Sequence, residues 1–156
     1  MSLFKKSLIV FSFLIVTFAS QANTDLASLK ARYFDAAREG NQAMLEAFYD
    51  AGLDANVADE KGYTALILAA YHGHTDTVDY LINTAKANPC QEDNRGNTAL
   101  MGAIFKGHVS VANQLVFADC NIDEENEQGQ TALMFASLFD RQEIINTLID
   151  KGADTH

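Results

Sequence analysis

The sequence predicts an all-α solenoid of about four helix-turn-helix units. Three observations predict it. The phrase Gly-x-Thr-Ala-Leu occurs three times, from Gly62, Gly96 and Gly129, so its Thr-Ala-Leu core recurs at spacings of 34 and 33 residues. A second mark, Gly40, Gly73 and Gly107, keeps the same period, and its next position is Asp140. Between these marks the apolar residues follow helical spacing. Self-similarity at a period of roughly 20–50 residues is the sign of a stacked array of repeats.

Each unit can be justified in order. The first, 26–59, is degenerate: it keeps Ala36-Ala37, Gly40 and Gly52-Leu53-Asp54 but has no Thr-x-Leu start. It reads as an N-terminal cap, with Lys30, Arg32, Asp35 and Arg38 on the side facing water. In the second unit, 60–93, the hydroxyl of Thr64 suits the start of a helix over Ala65 to Ala70. Tyr71-His72-Gly73-His74 ends that run, and Gly73 suits the left-handed conformation of a helix terminus. Val78, Leu81 and Ile82 then make one face of a second helix. Units 94–126 and 127–156 repeat the plan from Thr98 and Thr131. In the last unit Asp140-Arg141 stands where the others have Gly-His, and Gln142, Asn146 and Asp150 supply its wet side. Helices this short do not stand alone. Their apolar faces are buried only by stacking the units into one core.

The first 22 residues are of another kind. Lys5 and Lys6 precede a 13-residue apolar run, SLIVFSFLIVTFA, which ends at the small-x-small triplet Ser20-Gln21-Ala22. That order describes a secretory signal cleaved after Ala22. The run falls short of the roughly 20 residues needed to span a bilayer, so no stable membrane anchor is expected after cleavage. Residues 23–156 would then form the mature repeat domain, exported to the periplasm or, alternatively, to the extracellular space. The full chain has 156 residues and a formal net charge of -10. Such an acidic chain is a poor partner for nucleic acid or for an anionic membrane surface. In an oxidising compartment the only two cysteines, Cys90 and Cys120, either bridge or remain two small, partly buried thiols. Cys120 corresponds to Ala87 in the preceding unit, so the pair lies in neighbouring turns but out of step. A bridge requires the Pro89 turn to lean toward the third unit.

The repeated unit resembles the ankyrin repeat, whose pattern runs from a glycine turn through Thr-Pro-Leu-His-x-Ala-Ala, Gly-His and Val-x-x-Leu-Leu to Gly-Ala-Asp. The second unit carries Gly62, Thr64, Leu66, Ala69, Ala70, Gly73, His74, Val78, Leu81 and Ile82. The third carries Gly96, Thr98, Leu100, Ala103, Gly107, His108, Val111 and Leu115. The fourth carries Gly129, Thr131, Leu133, Ala136, Ile144, Leu148 and Gly152-Ala153-Asp154. The family's Pro is replaced by Ala65, Ala99 and Ala132, and the following His by Ile67, Met101 and Met134. The resemblance implies β-hairpin-like turns between the units and a non-catalytic scaffold that binds another protein through its turn tips and the exposed ends of the first helices. It places the candidate partner-binding residues at Tyr63, Tyr71, His72, Arg95, Asn97, Phe105, Lys106, Gln130, Leu138 and Phe139. Tyr71, Phe105 and Leu138 share one repeat position, so stacking aligns them into an apolar ladder. That ladder is either exposed for binding or laid back against the next repeat as filling. A monomer is expected. The alternative reading is an accessory factor that protects or regulates an enzyme in the same compartment.

Nothing in the sequence points to catalysis, a cofactor or a metal. His72 and His74 are two apart, which does not put them on one helix face, and His74 and His108 occupy the structural Gly-His position. The acidic run Asp123-Glu124-Glu125-Asn126-Glu127 lacks the order of a calcium loop and reads as a solvated loop tip. No Gly-x-Ser-x-Gly elbow or phosphate-binding glycine loop is present.

Overall fold

The computed structural model describes residues 24–156. The proposed signal segment, 1–22, lies outside the described residues. Contacts divide the chain at Arg32, and Tyr33–His156 forms the compact unit described below. Among the described residues eight helices follow one another. They are α1 (24–39), α2 (Gln42–Asp50), α3 (Ala65–His72), α4 (Thr75–Asn83), α5 (Ala99–Lys106), α6 (Val109–Val116), α7 (Ala132–Leu138) and α8 (Gln142–Asp150). They form an all-α repeat solenoid. The odd-numbered helices α3, α5 and α7 pack on one another in order, the even-numbered α4, α6 and α8 do likewise, and each odd helix packs against its even partner. None of the described helices is long and apolar enough to cross a membrane.

The helix starts follow from single hydroxyls. Thr64, Thr98 and Thr131 have extended backbone, and their side chains accept hydrogen bonds from the backbone N–H of Ile67, Met101 and Met134 at 3.2, 3.4 and 3.3 Å. Each occupies one of the donors that the first turn of a helix leaves unpaired. The stack is then closed by small residues. Ala65, Ala69, Ala99, Ala103 and Ala136 are essentially inaccessible, which lets successive first helices approach closely. Leu81, Val111, Ile144 and Leu148 fill the space behind them.

The backbone of the joint between the two helices of a repeat is made four times in nearly the same way, first by Asn41 N–H to the carbonyl of Ala36 after Gly40 at φ 68°. The backbone N–H of His74, His108 and Arg141 donates to the carbonyls of Ala69, Ala103 and Ala136. Gly73 and Gly107 take φ of 78° and 78°. Glycine also serves there because a Cβ on Gly73 would lie 2.6 Å from Nδ1 of His108, and one on Gly107 would lie 2.8 Å from a guanidinium nitrogen of Arg141. A side chain of the following repeat, the His108 imidazole at Gly73 and the Arg141 guanidinium at Gly107, therefore fills the space that glycine leaves. His74 donates from Nε2 to the carbonyl of Arg38 at 2.7 Å, and His108 donates likewise to that of Tyr71 at 3.1 Å. The last joint keeps this shape without Gly-His. Asp140 accepts a left-handed φ of 53°, a conformation that Asp tolerates better than most side chains. Arg141 reaches under Gly107 and donates from Nε to the carbonyl of Ile104 at 3.4 Å.

The connecting turns show the expected hairpin-like form only as isolated bridges, Ala58 with Thr64 and Glu92 with Thr98. Their geometry is set by one side chain each. Asp59 accepts from the backbone N–H of Lys61 and Tyr63, Asp93 from those of Arg95 and Asn97, and Asn126 from those of Gln128 and Gln130. Asn126 also donates to Asn97 at 2.9 Å and is 5% exposed. This corrects the expectation for the acidic run 123–127 as a merely solvated tip. Its Asn is a buried hub, and its Asp123 carboxylate accepts from the backbone N–H of Asp154. Successive turns are pinned together by Asn94 N–H to the carbonyl of Lys61 and Glu127 N–H to that of Arg95.

Cys90 and Cys120 are joined in a disulfide, their Cα atoms 5.4 Å apart. The turn before Cys90 is irregular: Lys86 takes a φ of 60°, and Asn88 is hydrogen-bonded on both sides. The N–H of Asn88 donates to the Asn56 side chain, and its own side chain accepts from the N–H of Cys90.

Candidate functional site

The first helices and the turn tips enclose a groove of about 540 Å³. Tyr63, Tyr71, His72, Arg95, Asn97, Phe105 and Gln130 line it. Lys106, Leu138 and Phe139, expected at the same surface, do not line it. Leu138 is 67% exposed at the end of α7, and Phe139 sits just beyond that helix. The structure places Tyr71 and Phe105 as a stacked pair with ring centroids 6.3 Å apart, continued edge-on by Phe139 at 5.1 Å from Phe105. Tyr71 and Phe105 are 37% and 43% exposed. The ladder is therefore open to solvent at the repeat position that Leu138 shares, and its third ring is Phe139. Lys106 lies with Nζ 5.2 Å from the centroid of the Tyr71 ring, a cation–π arrangement.

His72 stands beside Tyr71, ring centroids 5.4 Å apart, and stacks on His74 at 6.3 Å. Burial, and then the charges of His74, Arg38, Lys106 and His108, hold its imidazole below the usual histidine range. His74 and His108 spend their Nε2 protons on backbone carbonyls, which is a structural role. Among the described residues no cluster of three His, Cys, Asp or Glu side chains is placed to hold a metal.

Sequence reasoning missed part of the groove. Arg38, at a helix end, and Lys61, at a turn tip, occupy the kinds of position expected to make contacts and line it although neither is in the candidate set; Asp93, which also lines it, was not expected there. Its floor is set by one repeat position, Leu68, Gly102 and Phe135, spaced 34 and 33 apart. Leu68 and Phe135 present side chains to it, whereas Gly102 between them presents none. The signal was present as a helix-interior glycine in α5, where glycine is about 0.5–1 kcal/mol less favourable than alanine. The turn-setting Asp59, Asp93 and Asn126 were findable in the same way, three residues before Gly62, Gly96 and Gly129.

The helix pairs, the capping threonines and the stacked turns are those of one known architecture. A family model for ankyrin repeats in three copies matches residues 33–126, and a single ankyrin repeat model matches 128–156. The chain belongs to the ankyrin repeat family. An ankyrin repeat protein of Pseudomonas aeruginosa is 51% identical over 45 residues, 29% of this chain and 26% of that protein. The human espin-like protein is 40% identical over 55 residues, 35% of this chain and 6% of that protein. The Notch-regulated ankyrin repeat-containing protein of Xenopus tropicalis is 42% identical over 48 residues, 31% of this chain and 42% of that protein. The chain thus spans less than half the length of each of these relatives. Ankyrin repeats are protein–protein interaction scaffolds and generally non-catalytic.

Proposed function

We propose that this ankyrin domain is an exported, monomeric, non-catalytic scaffold that holds another protein against the groove and the ring ladder beside it. The observation that carries the reading is the solvent-open Tyr71–Phe105 stack. Two large rings, at positions where the repeat does not require them for stacking, are held at 37% and 43% exposure over a preformed groove. Aromatic side chains presented this way are frequent binding anchors, and a groove built on rigid helices loses little freedom when it is filled. Tyr63, Arg95, Asn97 and Gln130 line the turn side of the groove. His72, Lys106, Leu138 and Phe139 extend the surface at the helix ends. Export is supported by the basic-apolar-small order of 1–22 and by the Cys90–Cys120 disulfide, since such bonds persist in oxidising compartments.

The test is a photoreactive residue in place of Phe105 in the full-length chain expressed in its host, combined with Phe105→Ala. The expected result is a specific crosslink in the periplasmic or extracellular fraction. Phe105→Ala should abolish partner capture while shifting Tm little. A strong fall in Tm with capture unchanged would assign Phe105 to packing and sink the reading. Recovery of the uncleaved chain in the cytosol would remove the exported location.

A further inference from the structure

Gly102 lies inside α5, and neither its backbone nor its neighbours require glycine. A Cβ there would meet nothing nearer than Cδ2 of Tyr71 at 3.7 Å, an ordinary contact. Alanine would fit and would favour the helix. What glycine does provide is a notch in the groove floor, between Leu68 and Phe135 along the stack and beside Tyr71 and Phe105. Tyr71 borders the notch on one side, with its Cδ2 and Cβ at 3.7 and 3.9 Å from the position of such a Cβ, and beyond the two chain neighbours of Gly102 no other side chain of this chain comes within 4 Å of it.

The charge around the notch runs against the rest of the molecule. The chain has 21 Asp and Glu against 11 Lys and Arg. The groove nonetheless carries Arg38, Lys61 and Arg95, with Lys106 over the adjoining Tyr71 ring. Its one carboxylate, Asp93, is already occupied by the N–H groups of Arg95 and Asn97 and by the Asn97 amide. Both ion pairs among the described residues involve Arg38, so Lys61, Arg95 and Lys106 have no carboxylate partner there. Lys61 and Arg95 stand on the turn side and Lys106 on the helix-end side, with the apolar notch between.

We propose that the groove takes an acidic segment of the partner protein, which seats one large apolar side chain over Gly102 and sets Asp or Glu carboxylates against Lys61 and Arg95 on one side and Lys106 on the other. This rests on the protein-binding reading and names the partner's chemistry. Opposite charge on the two surfaces gives the complex its selectivity and its salt dependence. The rest of this acidic surface repels the same segment and so directs it to the groove.

Fluorescence polarisation of the purified, oxidised chain with labelled synthetic peptides tests this. The probes are Glu-Glu-Phe-Glu-Glu, its neutral counterpart Ser-Ser-Phe-Ser-Ser, its basic counterpart Lys-Lys-Phe-Lys-Lys and the anchor-less Glu-Glu-Ala-Glu-Glu. The first should bind at least about tenfold more tightly than each of the others and weaken as salt is raised. Arg95→Glu and Gly102→Leu should each weaken it by about tenfold or more, with Gly102→Leu leaving Tm unchanged or raised. Gly102→Ala guards against misfolding: it should fold at least as stably and weaken binding less. Equal binding of the acidic and neutral peptides, or full binding to Gly102→Leu, would overturn the proposal. So would no binding by any probe. If the neutral or basic peptide binds best, or the Phe105 crosslink forms while the acidic peptide does not bind, the scaffold reading survives and only the acidic partner is lost.

Discussion

The helix joint of the first repeat and the joints of the three later repeats solve one problem in two ways. In the first, Asn41 turns its side chain onto its own helix and accepts from the N–H of Met44 at 3.1 Å. In the later three, His74, His108 and Arg141 occupy the equivalent place but cap nothing in their own helices. Their side chains reach back to the preceding repeat and donate to the carbonyls of Arg38, Tyr71 and Ile104. Those of Arg38 and Tyr71 lie in the last turns of α1 and α3, where a helix cannot satisfy its own acceptors, whereas that of Ile104 already accepts the N–H of Gly107 and takes Arg141 as a second donor. A joint with another stacked before it exchanges a cap on itself for a bond to its neighbour. Such exchanges couple the units and make their stabilities interdependent.

The largest test of this comparison removes the rival tether first. The Cys90→Ser/Cys120→Ser double variant should lose about 3–4 kcal/mol, as expected for freeing a loop closed over a separation of 30 residues. Chemical unfolding against the oxidised parent measures it. A loss under about 1 kcal/mol would mean that the joints alone hold the second and third repeats together. Gly73→Ala should come next, at about 2 kcal/mol, because it combines a left-handed φ with intrusion on the His108 ring. In a double-mutant cycle with His108→Ala part of that penalty should vanish, since the ring is gone. Strict additivity would break the account of the joint. His108→Ala alone should lose about 1 kcal/mol, and Asn41→Ala about the same. These two should add independently, one being internal to its helix and the other shared between repeats. The smallest effect has the opposite sign: Asp140→Gly should gain about 0.5 kcal/mol by relieving the left-handed φ of 53°.

The same contrast explains what was legible in the sequence. The capping threonines, the left-handed glycines and the packed alanines are local devices, each needing a particular residue at a fixed offset, and they repeat because each unit must fit the next. The structural reading of His74 and His108 followed from their place in that pattern. The last joint was not legible, because Arg141 does the work of His with a longer arm and reaches a carbonyl one residue earlier than the pattern gives. The groove was half legible. Residues such as Tyr71, Phe105 and Arg95 announce themselves by type and position, but Gly102 contributes by lacking a side chain, and Arg38 belongs to a repeat with few family marks. The Cys90–Cys120 bond was left open because repeat spacing puts the two cysteines three positions out of register. The turn at Lys86 and Asn88 before Cys90 is irregular backbone, which no periodicity describes.

That bond also has a mechanical consequence. A column of stacked repeats behaves as springs in series, and on the turn side neighbouring turns are linked only by hydrogen bonds: Asn94 to the carbonyls of Lys61 and Glu60 at one step, and Glu127 to Arg95 with Asn126 to Asn97 at the next. The disulfide joins the loop after α4 to the loop after α6 and adds a covalent clamp to one step of the column. Bending stiffness is therefore uneven along the molecule. Any bending of the column is smallest at the clamped step and is taken up at the steps on either side of it.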